Sequence, residues 1–146
     1  MKKILGLAFA VVLLGCRNGQ EDKKTPVVPA KQTSHFQMYE MSEMASLMEQ
    51  MFAYNTQLKE RILKGEPLGS YPAAFDKLHT AVLTEASDRD AFFNDQALQF
   101  IAAQKMIYSD SLNAEVRFNE MVGQCLECHS KKCGGPVPRI KKLLIP

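Results

Sequence analysis

Near the C-terminal end of a 146-residue chain, Cys125-Leu126-Glu127-Cys128-His129 sets two thiols three positions apart, with an imidazole directly after the second. Thiols at this spacing can each add to a vinyl group of haem. The adjacent histidine then supplies an axial nitrogen to the iron, which is the chemistry of covalent c-type haem attachment. The chain holds only 4 Cys and 3 His, so the pattern is demanding. Of the 17 residues after His129 none is Met or His, so a second protein ligand must come from upstream.

Covalent attachment needs an export route, and the start of the chain offers one. Lys2 and Lys3 precede an apolar run from Ile4 to Leu14, followed by Gly15-Cys16. Eleven apolar residues are too few for a bilayer span, which takes ~20. Leu13-Leu14-Gly15-Cys16 resembles the lipobox of bacterial lipoproteins. This implies cleavage before Cys16, lipidation of its thiol and a cell-envelope location, periplasm-facing or at the surface. Residues 1–15 are thus expected to be a signal peptide. Residues 16–35 are polar, charged and Pro-containing after Cys16, and are expected to be a flexible tether. Cys133 is the thiol left over. It is a candidate for an intermolecular disulfide or a reactive thiol, or else a buried small residue closing the last helix.

Residues 36–146 suffice for one domain with one core. Helical periodicity dominates them, and the fold class expected is all-α. A first helix is expected over about 36–64. It carries Met41, Met44, Met48, Met51, Leu58 and Ile62 on one stripe, with Ser42, Glu43, Ser46, Glu49, Gln50, Glu60 and Arg61 opposite. Gly65-Glu66-Pro67 ends it. A shorter helix is expected over about 72–83, with Pro72 in its first turn. Ser87-Asp88-Arg89-Asp90 reads as a cap, Ser87 supplying the hydroxyl and Asp90 the capping-box acid. The helix it starts runs to about Tyr108 with Phe93, Ala97, Phe100, Ile101 and Ile107 inward. A last helix, from near Leu112, brings Phe118, Met121, Val122, Cys125, Cys128 and His129 within an arc of about 120° at 100° per residue. Gly134-Gly135-Pro136 terminates it. The tail, with Ile140, Leu143, Leu144 and Ile145, is expected to fold back apolar side down.

Four helices around one core make an antiparallel four-helix bundle with covalent haem on the C-terminal helix. The chain from about 36 to 133 resembles the class II c-type cytochromes, the cytochrome c-prime and cytochrome c556 family. In that family the haem motif lies near the end of the fourth helix and the distal residue projects from the first. Counting back from Gly65 as the family pattern implies gives Glu49, and its neighbour Met48 is the nearest residue able to face inward and bind iron. Met48 is therefore the expected distal ligand, with Met44 and Met51 one turn either way. Met106, His79 and His35 are the other upstream donors, and a Met stripe can equally be plain core. The resemblance also implies an Arg before the distal position to meet the propionates. None stands there, which leaves Lys131, Lys132 and Arg139 as the cations available, with Lys141 beside them.

Residues 36–130 carry seven Lys or Arg against fourteen Asp or Glu, whereas residues 131–146 carry five and none. This basic end, beside the haem motif, suits an acidic redox partner steered by charge, or serves as a solvated tail. The acidic remainder argues against nucleic acid. Oligomeric state stays open between monomer and dimer. The expected function is single-electron transfer by a lipid-anchored carrier of one haem c, not an enzyme. The alternatives are a five-coordinate haem binding NO or CO, and a haem-free Zn or Cu lipoprotein using Cys125, Cys128, His129 and Cys133 or the Met stripe.

Overall fold

A computed structural model describes residues 40–146. The expected signal peptide, Cys16, the expected tether, His35 and the expected first turn of helix one lie outside the described residues. Within them every regular element is helical and there is no strand. No described helix is long and apolar enough to cross a membrane.

Helix α1 (Glu43–Lys64) starts later than its periodicity suggests because Ser42 caps it, its hydroxyl accepting from the Ala45 amide at 3.1 Å. Ser42 is thus a cap, not a member of the outer face. Met41, left ahead of the cap, is 52% exposed and does not join the core stripe. At the other end Gly65 takes φ 64°. The Gly65 amide bonds the Ile62 carbonyl (3.1 Å) and the Glu66 amide that of Arg61 (2.9 Å). This pairing requires the left-handed conformation glycine adopts freely. Met44, Leu47, Met51, Asn55, Leu58 and Ile62 form the buried face.

The expected second helix is a seven-residue 3-10 helix (Ala73–His79) burying Phe75 and Leu78. Its continuation to residue 83 is prevented by Arg89, whose guanidinium takes the carbonyls of Leu78 (3.4 Å), His79 (2.7 Å) and Ala81 (2.6 Å). These carbonyls therefore need no downstream helical amides. Ser87 lies in a short 3-10 turn (Ala86–Asp88) and caps nothing. Asp90 itself is the N-cap of α2 (Ala91–Ser109), accepting from the Phe93 amide at 2.8 Å.

Phe93, Ala97, Phe100, Ile101 and Ile107 face inward, as the pattern requires, and Gln96 and Gln104 are buried among them. After a 3-10 turn (Ser111–Asn113), α3 (Ala114–Lys132) buries Phe118, Met121, Val122 and His129. Leu112 precedes the helix and is 98% exposed.

The tail forms a short helix, α4 (Val137–Ile140), and a 3-10 turn (Lys141–Leu143) that fold back over α1 and α3. Ile140, Leu143 and Ile145 are buried, whereas Leu144, expected with them, is exposed. Polar contacts to the tail's main chain hold it. Asn119 accepts from the Ile145 amide and donates to its carbonyl, both at 2.9 Å, and Lys59 donates to the carbonyls of Lys142 (3.0 Å) and Leu144 (2.7 Å).

Candidate functional site

Successive turns of α3 place Cys125, Cys128 and His129 on the side facing α1 and α2. Three cavities open there, and Met48 and His129 are walls of all three. The first, about 40 Å³, lies between α1, α2 and α3 and is lined also by both motif cysteines. The second, about 80 Å³, is closed by the tail and has Asn55, Cys125 and Arg139 in its wall. The third, about 320 Å³, has Cys128, Lys132 and Cys133. Met48, half-buried, faces the motif from α1 across each. Met51 borders the first two cavities and Met44 the third, so neither shares all three with His129.

The other upstream donors stand elsewhere. Met106 is 42% exposed and accepts only a weak contact from its own turn's Ser109, and His79 is exposed. Met121 is fully buried on α3 itself, where its sulfur takes the Cys125 thiol at 3.8 Å.

His129 is oriented from behind. Its Nδ1 lies 3.2 Å from the Cys133 carbonyl oxygen and 3.1 Å from the Cys133 thiol. With the proton on Nδ1 and donated to the carbonyl, Nε2 keeps its lone pair for a metal. Burial lowers the His129 pKa against the opposing pull of that carbonyl, which favours the neutral ring a ligand must have. Burial pushes the Cys125 thiol up to about 12, with Cys128 beside it adding to the effect, and Cys128 itself is also raised, chiefly by burial. Both are therefore protonated, poorly nucleophilic thiols in the folded chain, and neither is in a disulfide.

Of the cations expected at the propionates, Lys131, Lys132 and Arg139 are already partnered, and Lys141 is not. Lys131 pairs with Glu127 at 2.7 Å, lies over the Phe92 ring and lines none of the three cavities. Lys132 pairs with Asp90 (2.6 Å) and Asp88 (3.7 Å) across to the start of α2. Arg139 grips Glu49 with two bonds of 2.7 and 2.8 Å and lies 3.8 Å over the Phe52 ring. Glu49, the position nominally matched to the distal ligand, is thus an exposed partner of the tail. The Arg139 hydrogen bond lowers its carboxyl pKa, as the Lys132 bond lowers that of Asp90.

The periodicity did not reveal a polar line behind the site. Asn55 accepts from Gln104 at 3.1 Å, Gln104 reaches the Tyr108 hydroxyl at 3.4 Å, and the Tyr108 and Tyr54 hydroxyls meet at 3.0 Å. Burial, then the Tyr54 bond, raises the Tyr108 pKa. Among the described residues no group of three or more His, Cys, Asp or Glu side chains converges to hold a metal ion. No family model, curated protein or solved structure matches the chain.

Proposed function

We propose that this protein is an exported, lipid-anchored carrier of one covalently bound haem c, an antiparallel four-helix-bundle cytochrome that passes single electrons between partners. The observation that carries the reading is the convergence of Cys125, Cys128 and His129 on cavities whose opposite wall is Met48. The donor set fits the group: two thiols for thioether bonds, a neutral imidazole aimed by Cys133, and a thioether facing it. Each of the first two cavities is far smaller than a porphyrin. Met48, Met51, Cys125 and His129 line both, and the two methionines, each with three rotatable bonds, are the adaptable part of that shared lining.

Haem, when bound, would supply a one-electron couple, and a methionine held to its iron would raise the potential. The chain's own residues hold the group, orient His129 and exclude water with Phe93, Phe100 and Leu78. The Arg139–Glu49 pair latches the tail over the second cavity. A pair so exposed contributes little to stability, so Arg139 can exchange Glu49 for a haem carboxylate at small cost.

The experiment is expression with export and the haem-attachment machinery. Wild-type protein is expected to keep haem through a denaturing gel and to show a c-type reduced spectrum, and Cys125→Ala/Cys128→Ala to lose both. Colourless wild-type protein would overturn the reading.

Among the described residues the tail's cations without an acid within ion-pair distance are Lys141 and Lys142. They are the groups left to steer an acidic partner. Charge reversal at both is expected to slow electron transfer to such a partner several-fold at low salt, and the difference should vanish as salt screens it. Rates indifferent to both changes would leave the tail a structural strap only.

A further inference from the structure

Cys125 borders two cavities, about 40 and 80 Å³, and neither is large enough for a porphyrin. The first lies among α1, α2 and α3, whose apolar residues there are the core itself. The second has a different cover, because Arg139, Ile140 and Leu143 of the tail close it. Gly134 and Gly135 join that tail to α3. Both are exposed, with no neighbouring group within 4 Å of the place a β-carbon would take. The polar contacts of the tail's main chain concentrate at the far end. Lys59 of α1 holds the carbonyls of Lys142 (3.0 Å) and Leu144 (2.7 Å), and Asn119 of α3 holds the amide and carbonyl of Ile145, both at 2.9 Å. Ile140, Leu143 and Ile145 are buried, but helical pieces of four and three residues have no stability of their own. The tail is therefore hinged at its base, clasped at its tip and dependent on what it packs against. Cys133, whose carbonyl orients His129, stands before the hinge. Movement beyond Gly135 leaves the imidazole where it is.

We propose that residues 136–146 are a lid over Cys125: the segment lifts as a unit about Gly134-Gly135, and the lifted form is the one in which a group too large for the closed cavity reaches the Cys125 thiol. What the lid admits rests on the haem reading above, whereas the lid itself does not. Thioether formation adds the thiol across a vinyl double bond, sulfur to one carbon and hydrogen to the other. The step is redox-neutral and needs only that the two groups meet. Cys128 is covered differently, since it lines the 320 Å³ cavity, which no residue beyond Pro136 borders and which Cys125 does not reach. Lifting the tail therefore uncovers one attachment thiol and not the other. Local openings of this kind lie below global unfolding in free energy, and a covered thiol reacts in proportion to the fraction of molecules open.

The test needs no haem. The full chain, produced without the attachment machinery and kept reduced, is treated with N-ethylmaleimide, to which thiols add across a double bond. Labelling of each cysteine is followed by peptide mass spectrometry. Lys59→Met/Asn119→Ala removes the clasp at the tip and alters no residue that lines the three cavities. The pair is expected to speed Cys125 labelling by at least ~10-fold, the worth of one hydrogen bond to a charged group, and to change Cys128 labelling by less than about twofold. Either single variant keeps half of the clasp and serves if the pair folds poorly. An unchanged Cys125 rate overturns the proposal. So does an equal rise at both cysteines, which is general loosening and not a lid. Failure of the haem reading would appear separately, as absence of covalent haem in the exported wild-type protein with the labelling contrast intact.

Discussion

Met48→Ala in the haem-loaded protein is expected to turn low-spin iron into high-spin iron, abolish the thioether-to-iron charge-transfer band, lower the reduction potential and open the iron to carbon monoxide. The direction follows from what the thioether does. It favours the ferrous state and occupies the position a gas would take. If Met48 holds the iron in ~99% of molecules, removing it raises apparent affinity for an exogenous ligand by ~100-fold, since binding no longer waits for the open fraction. Electron paramagnetic resonance and a carbon monoxide titration check both. Met44→Ala and Met51→Ala are the controls. Both residues are buried, but each lines only some of the cavities that reach His129. They are expected to cost stability while leaving the iron low-spin. An unchanged spectrum in Met48→Ala beside a changed one in either control would move the ligand one turn along α1. High-spin iron in the wild-type protein would favour gas binding over electron transfer.

How far residue types alone lead can be seen helix by helix. On α2 the apolar positions at helical spacing are buried, because periodicity reports directly which side can leave water. The same rule misplaces Met41, since a Ser42 hydroxyl starts the helix beyond it, and it passes over Gln96 and Gln104. Those glutamines share the register of Phe93, Phe100 and Ile107, and a polar residue at a core register is itself a sign that the fold has a use for it. The short second helix ends in carbonyls that the Arg89 side chain takes up, reaching back eight to eleven residues. No local pattern announces such a contact. The thiols and imidazole of the site are legible because they stand within about one turn of a single helix, so their spacing in the chain already fixes their spacing in space. Arg139 with Glu49 is not legible, because ninety residues separate the partners and only the folded tail brings them together.

Phe118→Ala is expected to be the most damaging core change, at ~3–5 kcal/mol, because a large ring removed from a well-packed interior forfeits its transfer free energy and leaves a cavity. Phe118 has no exposed surface and lies seven residues, close to two turns, before Cys125 on the same face of α3. Met121 and Val122 fill the interval and are also fully buried, so they cannot move outward to fill the gap. Against the ~5–15 kcal/mol that holds typical domains folded, such a loss removes much of the margin. It should appear in urea unfolding as a lower midpoint with an unchanged slope. Leu112→Ala is the matched contrast. That side chain is 98% exposed, and its truncation should stay within ~0.5 kcal/mol. With haem covalently bound as proposed, the group could not dissociate when the core loosens, so the Phe118 variant of the haem-loaded protein should keep its colour while its spectrum reports weakened Met48 ligation on warming. Loss of stability without that spectral change would mean that the core and the Met48 side of the site are held independently. Loss of both at the same temperature would show that the packing behind α3 is what presses His129 and Met48 toward one another.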